Sequence, residues 1–203
     1  DANTLANAFV GATVDKDHVA GIIGVAFNAE VEAAALKAVN SGVRGGLVDC
    51  PVANSLLVDA CHAIVLPNLN YADSLFNVVM TQCGTENVLF VGQTITTASI
   101  QRYERFRTLC GTHQCTWHGV GLTSARFAYD SVSNYISDHP SVTNVVLLNG
   151  SSLSTELYEY VCAHSLSLYV VDRNSVSQKA FDEGHVRFRR GARAGDGFRQ
   201  RRL

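Results

Sequence analysis

Residues 43–67 constrain the fold of this chain more than any other segment. They read VRGGLVDCPVANSLLVDACHAIVLP and contain two apolar runs, at 47–50 and 63–66, with the length of buried strands. A turn at Pro51 and about two helical turns over 52–60 connect the runs. A proline follows each run, and proline cannot continue the hydrogen bonding inside a sheet. This strand–helix–strand pattern predicts one unit of an α/β fold.

The rest of the chain extends the same pattern. Apolar, β-branched runs predict further strands at 88–92, 144–148 and 168–171, with one more short strand after residue 110. Helical patterns lie between them, at 25–40, 72–82, 97–109, 125–137 and 154–164. The sequence therefore predicts an α/β class protein, with a Rossmann-like doubly wound sheet of about six short strands and helices on both faces.

The charge of the chain is unevenly distributed. The formal net charge is −2 over 203 residues, yet the segment 185–203 contains seven arginines and a single aspartate. We therefore expect one α/β domain over 1–184 and an Arg/Gly-rich tail or linker over 185–203. The remaining body is acidic, so contact with RNA phosphates or anionic lipid would fall to the tail.

The ends of the sequence and its motifs narrow the function classes. The chain does not begin with Met and shows no signal peptide, so we expect a piece of a longer polypeptide. No apolar run approaches the roughly 18 residues of a membrane span. The sequence lacks GxxxxGK[ST], GxGxxG, HExxH and GxSxG patterns, which argues against a phosphate-loop hydrolase, a typical dinucleotide dehydrogenase and a serine hydrolase.

Two single residues are candidates for chemistry. Asp49 closes the first predicted strand, and the carboxyl ends of strands line the ligand crevice in open α/β sheets. It could bind a ribose hydroxyl or an amino group, or it could cap the short helix that follows. His18 lies among acidic residues, which favour the imidazolium form, and could act as a base or nucleophile. The alternative is a surface histidine in a polar turn.

Cysteine and histidine residues suggest a metal site. A Cys-x4-Cys pair with a distant Cys or His can close a tetrahedral zinc site. The candidate ligands are Cys61, His62, Cys110 and Cys115, with His113 and His118 as further options. The alternative is a set of buried free thiols beside surface histidines. Without a signal peptide, we expect the six cysteines to be reduced.

Five segments, at 17–24, 47–54, 61–76, 110–118 and 124–132, resemble in this order motifs of the capping enzymes of alphavirus-like RNA viruses. DHVAGIIG at 17–24 resembles their DHANARAF-type motif, and LVDCPVAN at 47–54 is similar to their ILDIGSAP strand. CHAIVLPNLNYADSLF at 61–76 resembles their HCxCPM…EDxxR stretch. CGTHQCTWH at 110–118 is similar to their later cysteine pair, and SARFAYDSV at 124–132 to their HSxYDI block. The resemblance covers roughly residues 15–150.

The resemblance implies a methyltransferase–guanylyltransferase. Such an enzyme methylates GTP at guanine N7 with S-adenosylmethionine and transfers m7GMP through a histidine to the 5′ end of viral RNA. It would make His18 the nucleophile, assign Asp49, Asp73 and Tyr129 to the methyl-donor site, and make Cys61 or His62, with Cys110 and Cys115, ligands of zinc. The implied setting is a cytoplasmic, membrane-associated replication complex, with a membrane surface, other copies of the chain and the rest of a polyprotein as partners.

The sequence also departs from the capping pattern. Phe76 stands where the family has the arginine of DxxR, and the arginines usual after the first strand are absent from 52–57. Two other functions therefore stay open. One is a non-enzymatic structural or assembly module of a viral polyprotein. The other is a Rossmann-like S-adenosylmethionine methyltransferase with another substrate, which needs Asp49 but not His18.

Overall fold

The structure is a computed structural model that describes residues 21–24, 29–40, 42, 44–50, 61–65, 68–172, 174–184 and 186–188. The strands in these ranges are β1 (Gly21–Gly24), β2 (Arg44–Cys50), β3 (Cys61–Val65), β4 (Val88–Gln93), β5 (His118–Leu122), β6 (Asn144–Leu147), β7 (Ser167–Val170) and β8 (Val186–Phe188). The helices are α1 (Ala29–Asn40), α2 (Asn68–Cys83), α3 (Thr97–Thr112), α4 (Ala128–Asp138), α5 (Thr155–Ala163) and α6 (Ser175–Asp182). Two 3-10 turns lie at Ala125–Phe127 and Gly150–Ser152.

The described strands form two sheets in which every pairing is parallel. One sheet has the order β1-β2-β3, and the other has the order β5-β4-β6-β7-β8. In the second sheet the chain moves outward from β4 to β5, returns to pair β6 with the other side of β4, and continues through β7 and β8. The order therefore reverses between β4 and β6. Such a reversal is the topological switch point at which open α/β sheets bind their ligands.

Helices pack on both faces of the five-stranded sheet. Along β4, Leu89 and Val91 pack in one core cluster with residues of α4 and α5, and Phe90 packs in another with residues of α2 and α3. The rings of Phe90 and Phe106 lie 5.1 Å apart on the second face. All six residues of β4 are buried, as expected for a central strand that is covered on both sides.

Side-chain caps fix the starts of three helices. Thr96 and Ser99 form a capping box at α3, and Asn174 and Ser177 form another at α6. The predicted cap at Ser154 is confirmed, because its hydroxyl accepts the Leu157 N–H at 3.2 Å. Two of these starts lie beside the ends of β4 and β7, so the caps also fix the loops at that edge of the sheet.

The predicted α/β class with parallel strands and helices is confirmed. The single sheet of about six strands is not, because the described residues divide eight strands between two sheets. The short strands β1 and β8 and the polar helix α6 were not predicted. Strand β8 lies beyond the expected domain boundary at residue 184, and the helical turns expected over 52–60 lie outside the described residues. Within the described residues, the helices are too short or too polar to span a membrane.

Candidate functional site

Polar residues follow three neighbouring strands at the carboxyl edge of the five-stranded sheet. Gln93 ends β4, Asn149 is the second residue after β6, and Asp172 is the second residue after β7. Because all three strands are parallel, these residues lie at the same edge of the sheet, and β4 and β6 flank the switch point. This edge is the candidate site.

Hydrogen bonds tie the turn after β6 to the end of β4. Asn149 Oδ1 accepts the backbone N–H of Gln93 at 2.9 Å. The Gln93 side-chain amide donates to Ser151 Oγ at 2.7 Å and to Ser152 Oγ at 3.0 Å. Gln93 and Asn149 are each only 9% exposed. Buried polar groups that satisfy one another form a rigid network, so this part of the edge is preorganised.

The same turn is held from the opposite side by the start of α6. Asn174 Nδ2 donates to Gly150 O at 2.7 Å and to Leu153 O at 3.0 Å. Its Oδ1 accepts the Ser177 N–H at 2.7 Å. A Cβ at Gly150 would lie 2.9 Å from the carbonyl oxygen of Asp172. The turn therefore approaches the β7–α6 loop so closely that only glycine fits without a shift of the backbone.

A buried arginine reaches the edge from α3. The Arg102 side chain is 7% exposed and forms an ion pair with Asp172, whose side chain is 48% exposed. Its Nε donates to Asn68 Oδ1 at 3.0 Å, and its Nη1 lies 3.5 Å from the carbonyl oxygen of Leu148. The guanidinium also lies 5.7 Å from the centre of the Tyr71 ring. Arg102 thus fixes the Asp172 carboxylate at the solvent-facing side of the edge.

Further residues lie at this edge, some exposed and one buried. Thr94 and Ser151 are exposed, and Ile95, between β4 and α3, is 49% exposed. Asn68 is buried beside Arg102, and its Nδ2 has no hydrogen-bond partner among the described residues. Buried donors normally have a hydrogen-bond partner, so the Asn68 side-chain N–H group could still donate a hydrogen bond. The half-exposed Asp172 carboxylate and the exposed residues Thr94 and Ser151 suit the binding of a polar ligand at this edge.

Two residues predicted for the methyl-donor site lie apart. Asp73 is on α2, and its carboxylate oxygens accept from Arg105 at 2.6 and 3.2 Å. Tyr129 is exposed on α4, edge-to-face with Tyr160 at 5.9 Å. Helices α2 and α4 cover opposite faces of the sheet, so the structure does not bring these two side chains together. Asp49 lies in β2, where its side chain is not described, and His18 lies outside the described residues.

The cysteines predicted as zinc ligands are partly described. Cys110 and Cys115 are neighbours, since the Cys115 N–H donates to Cys110 O at 2.9 Å. Burial, and then the nearby Cys115 thiol, raise the pKa of Cys110 to about 12. Cys61 and His62 lie in β3, but their side chains are not described. No three potential metal ligands cluster among the residues whose placement is known, so zinc binding stays a prediction.

The edge residues were not found from the sequence, although a signal was present. Asn149 and Asp172 each follow a predicted strand, and Asp49 lies at the end of one. The same rule that singled out Asp49 applies to them. Arg102 carries a weaker signal, because it shares its helix with two other arginines. Only the strand order shows which of these ends meet at a switch point.

Comparison with known proteins identifies the fold. No family model matches the chain, and no curated protein matches its sequence. Many solved structures are similar to it, among them the following three. An ABC transporter solute-binding protein from Agrobacterium vitis with bound D-fucose aligns with a TM-score of 0.71 at 14% identity, over 91% of this chain and 65% of that chain. A periplasmic sugar-binding protein from Legionella pneumophila gives 0.69 at 13%, over 92% and 70%.

The third is a glucose-galactose binding protein from Geobacillus stearothermophilus, with a TM-score of 0.68 at 12% identity, over 91% of this chain and 66% of that chain. This chain has the fold of these sugar-binding proteins. It spans about two thirds of their length. At such low identity the similarity establishes the fold, and the ligand is a separate question.

The resemblance to viral capping enzymes is therefore wrong. The fold is that of periplasmic sugar-binding proteins, which leaves RNA capping, the alternative methyltransferase, and GTP, viral RNA or a viral polyprotein as partners without support. The predicted location in a cytoplasmic replication complex loses its support for the same reason. Phe76, aligned with the family's arginine, is 1% exposed and packs 5.5 Å from the Phe106 ring, so this position belongs to the core. Binding of S-adenosylmethionine stays an untested prediction, without a reaction to support it.

Proposed function

We propose that this chain is a ligand-binding domain for a small, neutral, polyhydroxylated molecule such as a monosaccharide. The ligand lies in the crevice at the carboxyl ends of β4, β6 and β7. The observation that carries the proposal is the pairing of Arg102, buried on α3, with Asp172, half exposed after β7, beside the switch point. The fold of sugar-binding proteins supports it.

The chemistry of the edge matches a sugar. Each sugar hydroxyl both donates and accepts hydrogen bonds, and a carboxylate held by an arginine accepts such bonds strongly. The Asp172 carboxylate can accept from one or two hydroxyls. Thr94 and Ser151 are exposed residues; the Thr94 hydroxyl, which donates to Leu122 O, can still accept a hydrogen bond, and the Ser151 hydroxyl, which accepts from Gln93, can still donate one. The charges of Arg102 and Asp172 balance, so a charged ligand would bring an unpaired charge into the crevice.

Apolar side chains flank the polar groups. Ile95 and Leu69 are each 49% exposed and adjoin Thr94 and Asn68 in the sequence. Apolar surface next to a few convergent polar groups is typical of small-molecule sites. It suits a pyranose or furanose ring, which presents C–H groups on its faces and hydroxyls at its edge.

Calorimetry and thermal denaturation test the proposal. We would titrate the folded chain with D-fucose, D-glucose and D-galactose, and expect at least one to bind with a Kd below about 1 mM and to raise the Tm. Asp172→Asn should weaken binding by about 10- to 100-fold, because it removes a charged acceptor. Asp130→Asn is the matched control, since Asp130 is an exposed aspartate on α4.

Two results would contradict the proposal. One is the absence of heat and of a Tm shift with all three sugars, in protein whose circular dichroism shows the α/β fold. The other is equal binding by Asp172→Asn and Asp130→Asn, which would place the ligand away from this edge.

A further inference from the structure

Helix α3 ends in a distinct backbone motif. Gln114 adopts a left-handed conformation with φ +54°. Its N–H donates to Gly111 O at 3.2 Å, and the next residue, Cys115, donates to Cys110 O at 2.9 Å. This pair of bonds is a Schellman motif, in which the side chains of the first and last residues meet. Here both of those residues are cysteines.

The two thiols share one environment. Cys110 is 5% exposed and belongs to the core cluster of Phe106 and Trp117, and Cys115 packs against the same cluster while remaining partly exposed. The Cys115 sulfur lies 3.9 Å from the sulfur of Met80. Cys115 is thus the more accessible of the two residues, and Cys110 is enclosed in the core.

A second helix of the same chain shows that the motif does not need cysteine. At the end of α5, Ser165 also has φ +54°, and the N–H of Leu166 donates to Val161 O at 3.0 Å. The Ser165 N–H donates to Cys162 O at 3.1 Å, which completes the same pair of bonds. The meeting residues there are valine and leucine, an ordinary apolar contact. The cysteine pair in α3 therefore adds a chemical capacity that the turn does not require.

We propose that Cys110 and Cys115 form an intramolecular disulfide by exchange with an external disulfide, such as oxidised glutathione or the disulfide of an oxidoreductase. The Schellman motif brings the first and last side chains together, and the thiols of Cys110 and Cys115 interact directly, so their side chains are already adjacent, as a disulfide requires. The bond needs only side-chain rotation, because the backbone already brings the residues together. It is independent of the ligand proposed above.

The exchange proceeds in two balanced steps. Cys115, the accessible thiol, attacks the external disulfide RSSR, forms a mixed disulfide and releases one RSH. The sulfur of Cys110 then attacks the sulfur of Cys115 and displaces the second RSH, which takes up the Cys110 proton. The two protein thiols lose two electrons and two protons in total, and RSSR is reduced to two RSH.

The bond would join the end of α3 to the segment that leads into β5. Helix α3 also carries Arg102, so the bond would restrain a helix of the candidate site. A disulfide that closes a loop of this size lowers the conformational entropy of the unfolded chain. We therefore expect oxidation to raise the Tm by about 4–8 °C.

The experiment follows a single tryptic peptide. Cleavage after Arg107 and Arg126 releases residues 108–126, which contain Cys110 and Cys115 and no other cysteine. We would remove metals with a chelator, incubate the folded chain with oxidised glutathione, alkylate, digest and measure the mass. We expect this peptide to lose two hydrogen masses and to carry no alkyl group, and the Tm to rise and return with dithiothreitol.

Variants separate the proposal from other thiol chemistry. Cys115→Ser should abolish the oxidised form of the peptide and the reversible Tm rise. Cys162→Ser, at an exposed cysteine of α5, should leave both unchanged. The proposal is overturned if residues 108–126 carry two alkyl groups after oxidation, or if a glutathione adduct persists on Cys115. The incubation is then repeated without the chelator. Protection of both thiols by bound zinc in that sample would also overturn the proposal and would support the predicted metal site instead.

Discussion

Asn149 and Gln93 join the ends of β6 and β4 through one hydrogen bond, in which Asn149 Oδ1 accepts the Gln93 backbone N–H at 2.9 Å. These two strands flank the switch point, so the bond fixes the floor of the proposed crevice. Both residues are buried, and neither group has bulk water as a substitute partner. The stability of the fold and the geometry of the site therefore depend on the same side chain.

Replacing that side chain should destabilise the protein. Asn149→Ala leaves the Gln93 N–H buried without an acceptor, which should lower the free energy of unfolding by about 1–3 kcal/mol. Denaturation in guanidinium chloride measures this change. Asn134→Ala, at an exposed position of α4, is the control and should change it by less than about 0.5 kcal/mol. Equal effects of the two substitutions would show that the Asn149 bond contributes nothing.

Two glycines give a paired test of the close approach at the site. Gly150→Ala places a Cβ 2.9 Å from Asp172 O, so the backbone must shift, and we expect a loss of about 1–3 kcal/mol. Gly111→Ala, inside α3, meets nothing within 4 Å and should stabilise the helix by up to about 1 kcal/mol. Thermal denaturation should show a lower Tm for the first variant and an unchanged or higher Tm for the second. A Gly150→Ala protein as stable as the parent would mean that the turn has room to move.

Removal of the buried arginine should affect both stability and binding. Arg102→Met keeps the aliphatic stem but leaves Asn68 Oδ1 and Leu148 O without their donor, and Asp172 without its partner. We expect a loss of about 1–3 kcal/mol, less than for a fully buried ion pair because Asp172 is half exposed. Arg107→Met, at an exposed arginine of the same helix, should have little effect. Chemical denaturation of both variants measures the difference, and similar values would contradict a structural role for Arg102.

The sequence predicted the strands of the five-stranded sheet apart from β8, because their signal is local. The runs at 88–92, 144–148 and 168–171 are apolar and β-branched, and each overlaps an observed strand. Helix α6 was missed because its sequence, SVSQKAFD, is polar, and its start depends on the reciprocal cap of Asn174 and Ser177. The division into two sheets could not be predicted, since pairing between distant strands leaves no local pattern.

The site was harder to predict for a related reason. Arg102 and Arg107 have the same chemistry and share one helix, yet one is buried at the sheet edge and the other faces solvent. Their environments depend on how α3 packs, which the residue types do not specify. The capping resemblance failed because strand-ending segments such as LVDC fit many parallel α/β proteins. Phe76 was one of the departures that argued against it, and it proved to be a core aromatic.

The raised pKa of Cys110 predicts both slow alkylation and a pH-dependent stability. Burial and the neighbouring Cys115 raise the pKa of this thiol from an ordinary 9.0 to about 12. The unfolded chain then loses the Cys110 proton at lower pH than the folded chain. The stabilisation is complete below about pH 9 and is lost as the pH rises toward about 12, by up to about 1.4 kcal/mol per pH unit.

Two measurements on the reduced protein check this. At pH 8 iodoacetamide should modify the exposed Cys162 well before Cys110, and both equally fast once urea unfolds the chain. The free energy of unfolding should fall more steeply between pH 9 and 11 in the parent than in Cys110→Val, which lacks the thiol at this position. Comparison of the two slopes removes the contribution of the buried tyrosines, because both proteins contain them. Identical slopes, or modification of folded Cys110 as fast as of Cys162, would show that the thiol is neither buried nor perturbed.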